Sequence, residues 1–293
     1  MKQIIVMSGK GGTGKTTITA ALSQCAGSDA VVADCDVDAA NLHLLLEPRI
    51  EEEDRFFGGQ LPMIDSRGCG MCGLCANACA WTAIQYRDGG YYVDPLACEG
   101  CGICSHVCPE GRITMHPRMT GMSYVSRSRF GQPMAHARLS IGQENSGKLV
   151  ARVRQRAVEL AKERAKDFVI VDGPPGIGCP AISAVSGADH VLIVTEATQA
   201  ATHDLLRLVE LLEHFGLPAS CVINKADLDA DAHDAIEDLC REHGIPMLAA
   251  FPWSDIFPAS IRQGRTLLEM DNKNIKSVIE SLWNSLRTNG DVT

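Results

Sequence analysis

Short apolar runs punctuate this chain at intervals too wide for hairpins. Ile4–Met7, Ala30–Ala33, Phe168–Val171, Val191–Val194, Cys221–Ile223 and Met247–Ala250 are mostly aliphatic, with helix-period patterning between most of them. Such runs lack alternation because both faces of the strand are buried, so the pattern predicts βα units feeding a mainly parallel sheet. Near the end, Ile275, Val278, Ile279, Leu282, Trp283 and Leu286 form a stripe at helical spacing. Its polar side mixes Lys273 and Lys276 with Glu280 and lacks the Lys/Arg richness of a membrane-surface helix. A helix packed on the sheet is therefore expected.

The pattern breaks between about Gly58 and Pro117, where Cys and Gly replace long apolar runs. Within this stretch Cys69, Cys72, Gly73, Cys75, Cys79 and Ile84 return 29 residues later as Cys98, Cys101, Gly102, Cys104, Cys108 and Ile113. Two copies of one unit inserted into an α/β domain is the economical reading. It divides the chain into residues 1–57 and 118–293 of one domain, with residues 58–117 as the insert. Residues 118–156 carry Arg118, Arg127, Arg129, Arg138, Lys148, Arg152, Arg154 and Arg156 against a single Glu144. They read as a solvated loop and helix face, or as a docking surface for an acidic partner or anionic cofactor.

Composition narrows the class. With 45% hydrophobic and 22% charged residues, a chain of 293 can bury a sizeable core as one domain with an insert or as two domains. A net charge of −9 argues against non-specific nucleic-acid binding. No apolar run approaches the ~18–20 residues needed for a membrane span, and the start enters a glycine loop without a signal pattern, so a cytoplasmic location is expected. In that compartment the 13 cysteines are not a disulfide framework, and metal becomes their first explanation.

Gly9-Lys10-Gly11-Gly12-Thr13-Gly14-Lys15-Thr16-Thr17 follows the first strand, opens a helix and has P-loop spacing. Glycines let backbone N–H groups point inward at a phosphate, and the helix N-terminus adds its positive dipole end. Lys15 is expected on the β- and γ-phosphates and the Thr16 hydroxyl on Mg²⁺. The aspartate closing Phe168–Val171, Asp172, needs a partner because a buried carboxylate is expensive alone, and the Mg²⁺ shell supplies one.

Two cysteine runs, Cys69-x₂-Cys72-x₂-Cys75-x₃-Cys79 and Cys98-x₂-Cys101-x₂-Cys104-x₃-Cys108-Pro109, match the bacterial ferredoxin spacing. In two-cluster ferredoxins the fourth cysteine ligates the other cluster. That rule assigns Cys69, Cys72, Cys75 and Cys108 to one [4Fe–4S] cluster, and Cys98, Cys101, Cys104 and Cys79 to a second. Ala80 stands where a proline usually follows, and structural zinc is the alternative occupant. Cys25, Cys221 and Cys240 read as buried small hydrophobes, as does Cys179.

A second lysine in the loop, Lys10, marks a deviant P-loop, and the chain outside the insert resembles the MinD/ParA/Mrp/nitrogenase-iron-protein superfamily. Asp34-Cys35-Asp36-Val37-Asp38-Ala39-Ala40-Asn41-Leu42 is similar to its switch I, and Gly173–Gly178 to its switch II. The resemblance implies that Lys10 crosses a dimer interface to the partner's nucleotide, that Asp36 orients the attacking water, and that Asn224 contacts the purine. Asp36 could instead be a helix N-cap. Asn224-Lys225-Ala226-Asp227 also resembles the guanine-reading N-K-x-D motif, which leaves GTP beside ATP. Cys179, seven residues after Asp172, matches the position of a cluster ligand in the nitrogenase iron protein.

The resemblance as a whole implies an ATPase that closes around two ATP molecules as a homodimer, or as a heterodimer with a related ATPase. Three functions follow: metal-cluster assembly or delivery to a protein acceptor, ATP-gated electron donation to one, or MinD/ParA-like positioning. The insert favours the first two, since positioning needs no redox centre.

Overall fold

The computed structural model describes residues 1–140, 142 and 146–288, so Glu144 lies outside the described residues. In chain order the elements are β1 (Lys2–Ser8), α1 (Lys15–Ala26), β2 (Ala30–Asp34), α2 (Leu42–Leu46), β3 (Arg49–Ile64), α3 (Leu74–Asn77), β4 (Ile84–Arg87), β5 (Gly90–Val93) and α4 (Ile103–His106). They continue with β6 (Ile113–Arg127), β7 (Pro133–Leu139), α5 (Ser146–Glu163), β8 (Phe168–Pro175), α6 (Cys179–Val185), β9 (His190–Glu196) and α7 (Gln199–His214). Last come β10 (Ala219–Asn224), α8 (Ala230–Glu242), β11 (Met247–Phe251), α9 (Ile256–Gln263) and α10 (Lys273–Thr288). Two compact units result, one of Met1–Glu53, Ser123–Arg138 and Ser146–Thr293, the other of Asp54–Met122 and Leu139–Asn145.

All six apolar runs are strands of one sheet, ordered β11-β10-β9-β1-β8-β2-β7-β6-β3. From β11 through β7 every neighbouring pair is parallel. This is the α/β P-loop architecture with a mostly parallel sheet. Register decides what the fold can do. Asp172 lies opposite Val6 and Asp34, and Asn224 lies opposite Glu196, so four polar residues share the carboxyl edge. In open parallel sheets that edge is where ligands bind.

In this first unit the stripe near the end is core. Ile275, Ile279, Leu282 and Leu286 join Ile4, Ile18, Leu22 and Ile170 in one cluster, and the Trp283 ring meets Phe168 edge-on at 5.0 Å. Full burial of each such side chain contributes roughly 1.5–3 kcal/mol, which holds α10 on the sheet. No helix among the described residues is long and apolar enough to cross a membrane.

The expected loop at 118–139 needs correction. β6 runs to Arg127, and β7 pairs with β2 through Met134, Ala135 and His136. The apolar signal was short because His136 and Arg138 interrupt it and two of its residues are alanines. Several of the arginines here pair within the chain: Arg127 meets Glu51 at 2.7 Å, Arg129 forks onto Glu269, and Arg156 reaches Glu52 at 3.2 Å and Glu163 at 2.9 Å. Arg138, Lys148 and Arg152 are exposed.

In the second unit the sequence repeat becomes a repeat of hydrogen bonds. Gly73 and Gly102, at φ 77° and 78°, open α3 and α4. Ala76 and Ser105 both donate back to those glycines at 3.1 Å, and Ala83 N–H and Arg112 N–H donate to the sulfurs of Cys79 and Cys108 at 3.3 and 3.4 Å. Cys75, Ile84, Cys104 and Ile113, again one pair from each copy, form the core of this unit.

Candidate functional site

β1 ends at Ser8 and α1 begins at Lys15, so the glycine loop spans the gap between strand and helix. Gly14 caps α1 at φ 95°, and a Cβ there would lie 2.6 Å from the Asn224 amide nitrogen, so glycine is required twice over. No side chain caps α1, which leaves its first N–H groups for an anion. They border a cleft of about 520 Å³ lined by Gly11, Gly12, Gly14, Lys15, Thr16, Thr17 and Asp36 on one side, and by Trp253, Phe257, Pro258 and Ile261 on the other. Thr13, also in the loop, is buried.

Lys15 sits among carboxylates. Its ammonium is 2.7 Å from Asp172 Oδ1 and 3.9 Å from Asp36, while the Thr16 hydroxyl donates to Asp172 Oδ2 at 2.7 Å. Asp34 accepts from the Asp36 N–H with one oxygen, and its other oxygen is buried without a partner. Burial, then the charge of Asp172, pushes the Asp34 carboxyl well above the usual carboxylate range. Burial also raises Asp36, against the opposing pull of Lys15. Carboxyls thus outnumber the single ammonium, an excess that a divalent cation would offset. Mg²⁺ keeps several waters and takes only one or two protein oxygens, which Thr16 and Asp172 offer. Helix capping does not explain Asp36, because α2 begins at Leu42 behind Asn41. Asp38 is exposed.

The remaining expected residues have more local roles. Lys10 Nζ lies 2.6 Å from Glu196 Oε1 and 3.3 Å from the Thr198 hydroxyl of its own chain. Glu196 also holds Lys225 at 2.6 Å, and Lys225 donates to Gly12 O at 3.1 Å. The two lysines keep Glu196 below the usual carboxylate range despite its burial. Asn224 donates to Thr13 O at 2.9 Å, so its amide braces the loop. Sequence reasoning missed Glu196 and Trp253. The rule that picked Asp172, an acid closing a buried apolar strand, would have found Glu196.

Cys179 corrects an expectation. It is exposed at the first turn of α6 and is not core, whereas Cys35, Cys221 and Cys240 are buried. In the second unit, Cys69, Cys72 and Cys75 line one pocket with Cys108 from the other run, beside Ile64, Tyr91 and Ile113. Among the described residues no group of three or more His, Cys, Asp or Glu converges tightly enough for a single metal ion.

A strand, a glycine loop, an uncapped helix and a buried lysine–aspartate pair at the carboxyl edge of a parallel sheet define a P-loop nucleotide-binding protein. Residues 4–267 match the CobQ/CobB/MinD/ParA nucleotide binding domain, and the chain belongs to that family. An uncharacterized protein of Methanocaldococcus jannaschii is 33% identical over 78% of this chain and 79% of its own. The septum site-determining protein MinD of Thermotoga maritima is 24% identical over 98% of this chain and 88% of its own. Among solved structures, the Pyrococcus furiosus cell division ATPase MinD is 20% identical with a TM-score of 0.58, covering 98% of this chain and 99% of that one. MinD of Pyrococcus horikoshii, solved with Mg-ADP, has a TM-score of 0.58 at 18% identity, covering 99% and 98%. The protein is an ATPase of this P-loop family.

Proposed function

We propose that this ATPase is an iron–sulfur protein in which nucleotide state controls redox or cluster-transfer chemistry on a protein partner. Residues 1–57 and 118–293 would form the ATPase domain and residues 58–117 the ferredoxin-like insert with two [4Fe–4S] clusters. The observation that carries the reading is the pocket that gathers Cys69, Cys72 and Cys75 with Cys108, three thiols from one run and the fourth from the other. This is the crossed set that two-cluster ferredoxins use. The donor chemistry fits in that four thiols line one pocket among mostly apolar neighbours, with Glu110 and Arg112 also on its wall. Such clusters supply one-electron chemistry when bound. Cys98, Cys101, Cys104 and Cys79 would hold the second.

In the ATPase domain, Gly11 to Gly14 and Thr17 would cradle phosphate, Lys15 would leave Asp172 for the β- and γ-phosphates, and Thr16 and Asp172 would hold Mg²⁺. Asp36 would orient the water. Lys10 would exchange Glu196 for the nucleotide of a partner subunit, as a homodimer or a heterodimer closes. A second reading, positioning of the MinD kind, is favoured by the MinD relatives that align over nine-tenths of this chain. The cysteine unit would then be structural or sensory.

One anaerobic experiment separates them. The protein is loaded with iron and sulfide, and cluster spectra are followed with a candidate acceptor, with and without ATP. Acceptor reduction with all iron retained supports electron donation, and iron appearing on the acceptor supports delivery. Failure to take up iron at all, with ATP hydrolysis intact, leaves the positioning reading.

A further inference from the structure

The four residues that resemble a guanine reader are already engaged within the chain. Asn224 donates its amide N–H to Thr13 O at 2.9 Å, and its oxygen accepts the Lys225 N–H at 3.0 Å. Lys225 is taken by Gly12 O and Glu196. Asp227, whose counterpart in N-K-x-D would have to accept N–H groups from the edge of guanine, accepts the backbone N–H of Trp253 instead, and it is not among the residues lining the cleft. That bond ties down the loop between β11 and α9, which presents Trp253 to the cleft with 53% of the residue exposed. Phe257, Pro258 and Ile261 of α9 continue the wall. Ser254 adds one hydroxyl, whose oxygen already accepts the Ile256 N–H. The part of the cleft lined by Trp253 and α9 is thus mostly apolar, with few polar side chains to read a base edge.

We propose that the base of the bound nucleotide is held by its face on the Trp253 indole and that Asp227 positions Trp253 without reading the base. The ligand class is then purine nucleoside triphosphates held by stacking, with adenine and guanine discriminated weakly. Every base offers a π face, so stacking tolerates sequence where edge contacts do not. The inference rests on the P-loop ATPase reading and adds to it the way the base is held.

The test uses the full-length protein and three probes, ATP, GTP and inorganic tripolyphosphate, the last carrying charge but no base. Trp253→Ala should weaken ATP and GTP about 10- to 100-fold, the range of one base stacked on an aromatic residue, and leave tripolyphosphate within twofold. Trp253→Phe should keep ATP binding within about threefold, which guards against a variant that merely misfolds. Asp227→Asn retains an oxygen for the Trp253 N–H, so the ATP to GTP ratio should stay within threefold; an edge reader would lose GTP selectively. Wild-type discrimination above about 100-fold between ATP and GTP overturns the inference, as does unchanged ATP binding in Trp253→Ala. Wild-type protein that binds none of the three probes takes down the ATPase reading itself, a different outcome from losing the base term alone.

Discussion

Replacing Arg154 tests whether α5 holds the end of α6, the helix that follows Gly173–Gly178. The side chain is buried at 8% exposure. One terminal nitrogen donates to Ser186 O, the C-cap of α6, and lies 3.5 Å from Ser183 O, while the other donates to Gln3 Oε1 at 2.6 Å. The guanidinium therefore completes the carbonyl end of α6, where a cation is favoured by up to ~2 kcal/mol in partly buried geometry. It does so without a directly bonded carboxylate, and its Nε has no partner. Burial accordingly lowers its pKa, with Asp189 acting only through its field.

The magnitude is a difference between opposing effects. Arg154→Met removes two charge-assisted hydrogen bonds, each about 1.5–3 kcal/mol, and strands two acceptors. It also removes the desolvation of a buried cation, which is several kcal/mol. Methionine keeps most of the stem's packing, so the net loss should be about 1–3 kcal/mol, and Arg154→Ala should lose more through the cavity it leaves. Urea unfolding at pH 7.5 measures the stability, and steady-state ATP hydrolysis well below the unfolding transition measures the switch. Hydrolysis should fall with Arg154→Met because α6 starts directly after Gly173–Gly178. A variant within 0.5 kcal/mol of wild type would refute the reasoning, since the carbonyl cap would then contribute nothing beyond the desolvation it requires.

Other sites give sharper signs. His190 is buried against Ser220, and burial with the nearby Lys2 charge holds it down to about 4 from 6.5. Its stability contribution is therefore complete above pH 6.5 and lost as pH falls towards 4, by about 3 kcal/mol; His190→Gln should flatten that slope in urea melts. Lys15→Ala leaves Asp172 buried and unpaired and should destabilise by about 3–5 kcal/mol, with Asp172→Asn on top recovering part of it by calorimetry. Trp283→Ala, which empties the contact with Phe168, should lose about 3–5 kcal/mol in the same melts. On the proposed crossed ligation, Cys75→Ser with Cys108→Ser removes ligands from one cluster and should retain about four irons per chain, whereas Cys75→Ser with Cys79→Ser should lose both clusters. Equal iron loss in the two double variants would count against crossing.

The parallel sheet was legible because β1, β2, β8, β9, β10 and β11 each carry a short apolar run. β7 escaped because it contains His136 and Arg138 and faces small partners such as Ala33 across β2. β3 hid for a different reason: Glu51, Glu52, Glu53 and Asp54 all sit on exposed strand, so neither an apolar run nor alternation marks it. A sheet's outer strands are held largely by backbone pairing, which side-chain pattern does not record.

The site divides along the same physical line. Gly14 and Lys15 were readable because a tight αL turn and a phosphate demand those residue types, and the demand leaves a fixed spacing. Asp172 was readable because a buried acid at a strand end asks for a partner. Lys10 and Asn224 could be identified but not placed, since what they touch, Glu196 and Thr13 O, depends on register between strands far apart in sequence. Asp34 is the clearest case. Its sequence position is two residues from Asp36 and looks interchangeable with it, yet one carboxyl is sealed beside Asp172 and the other opens on the cleft. The pairing of β2 with β8, which sets Asp34 opposite Asp172, is the physical reason the two carboxyls differ.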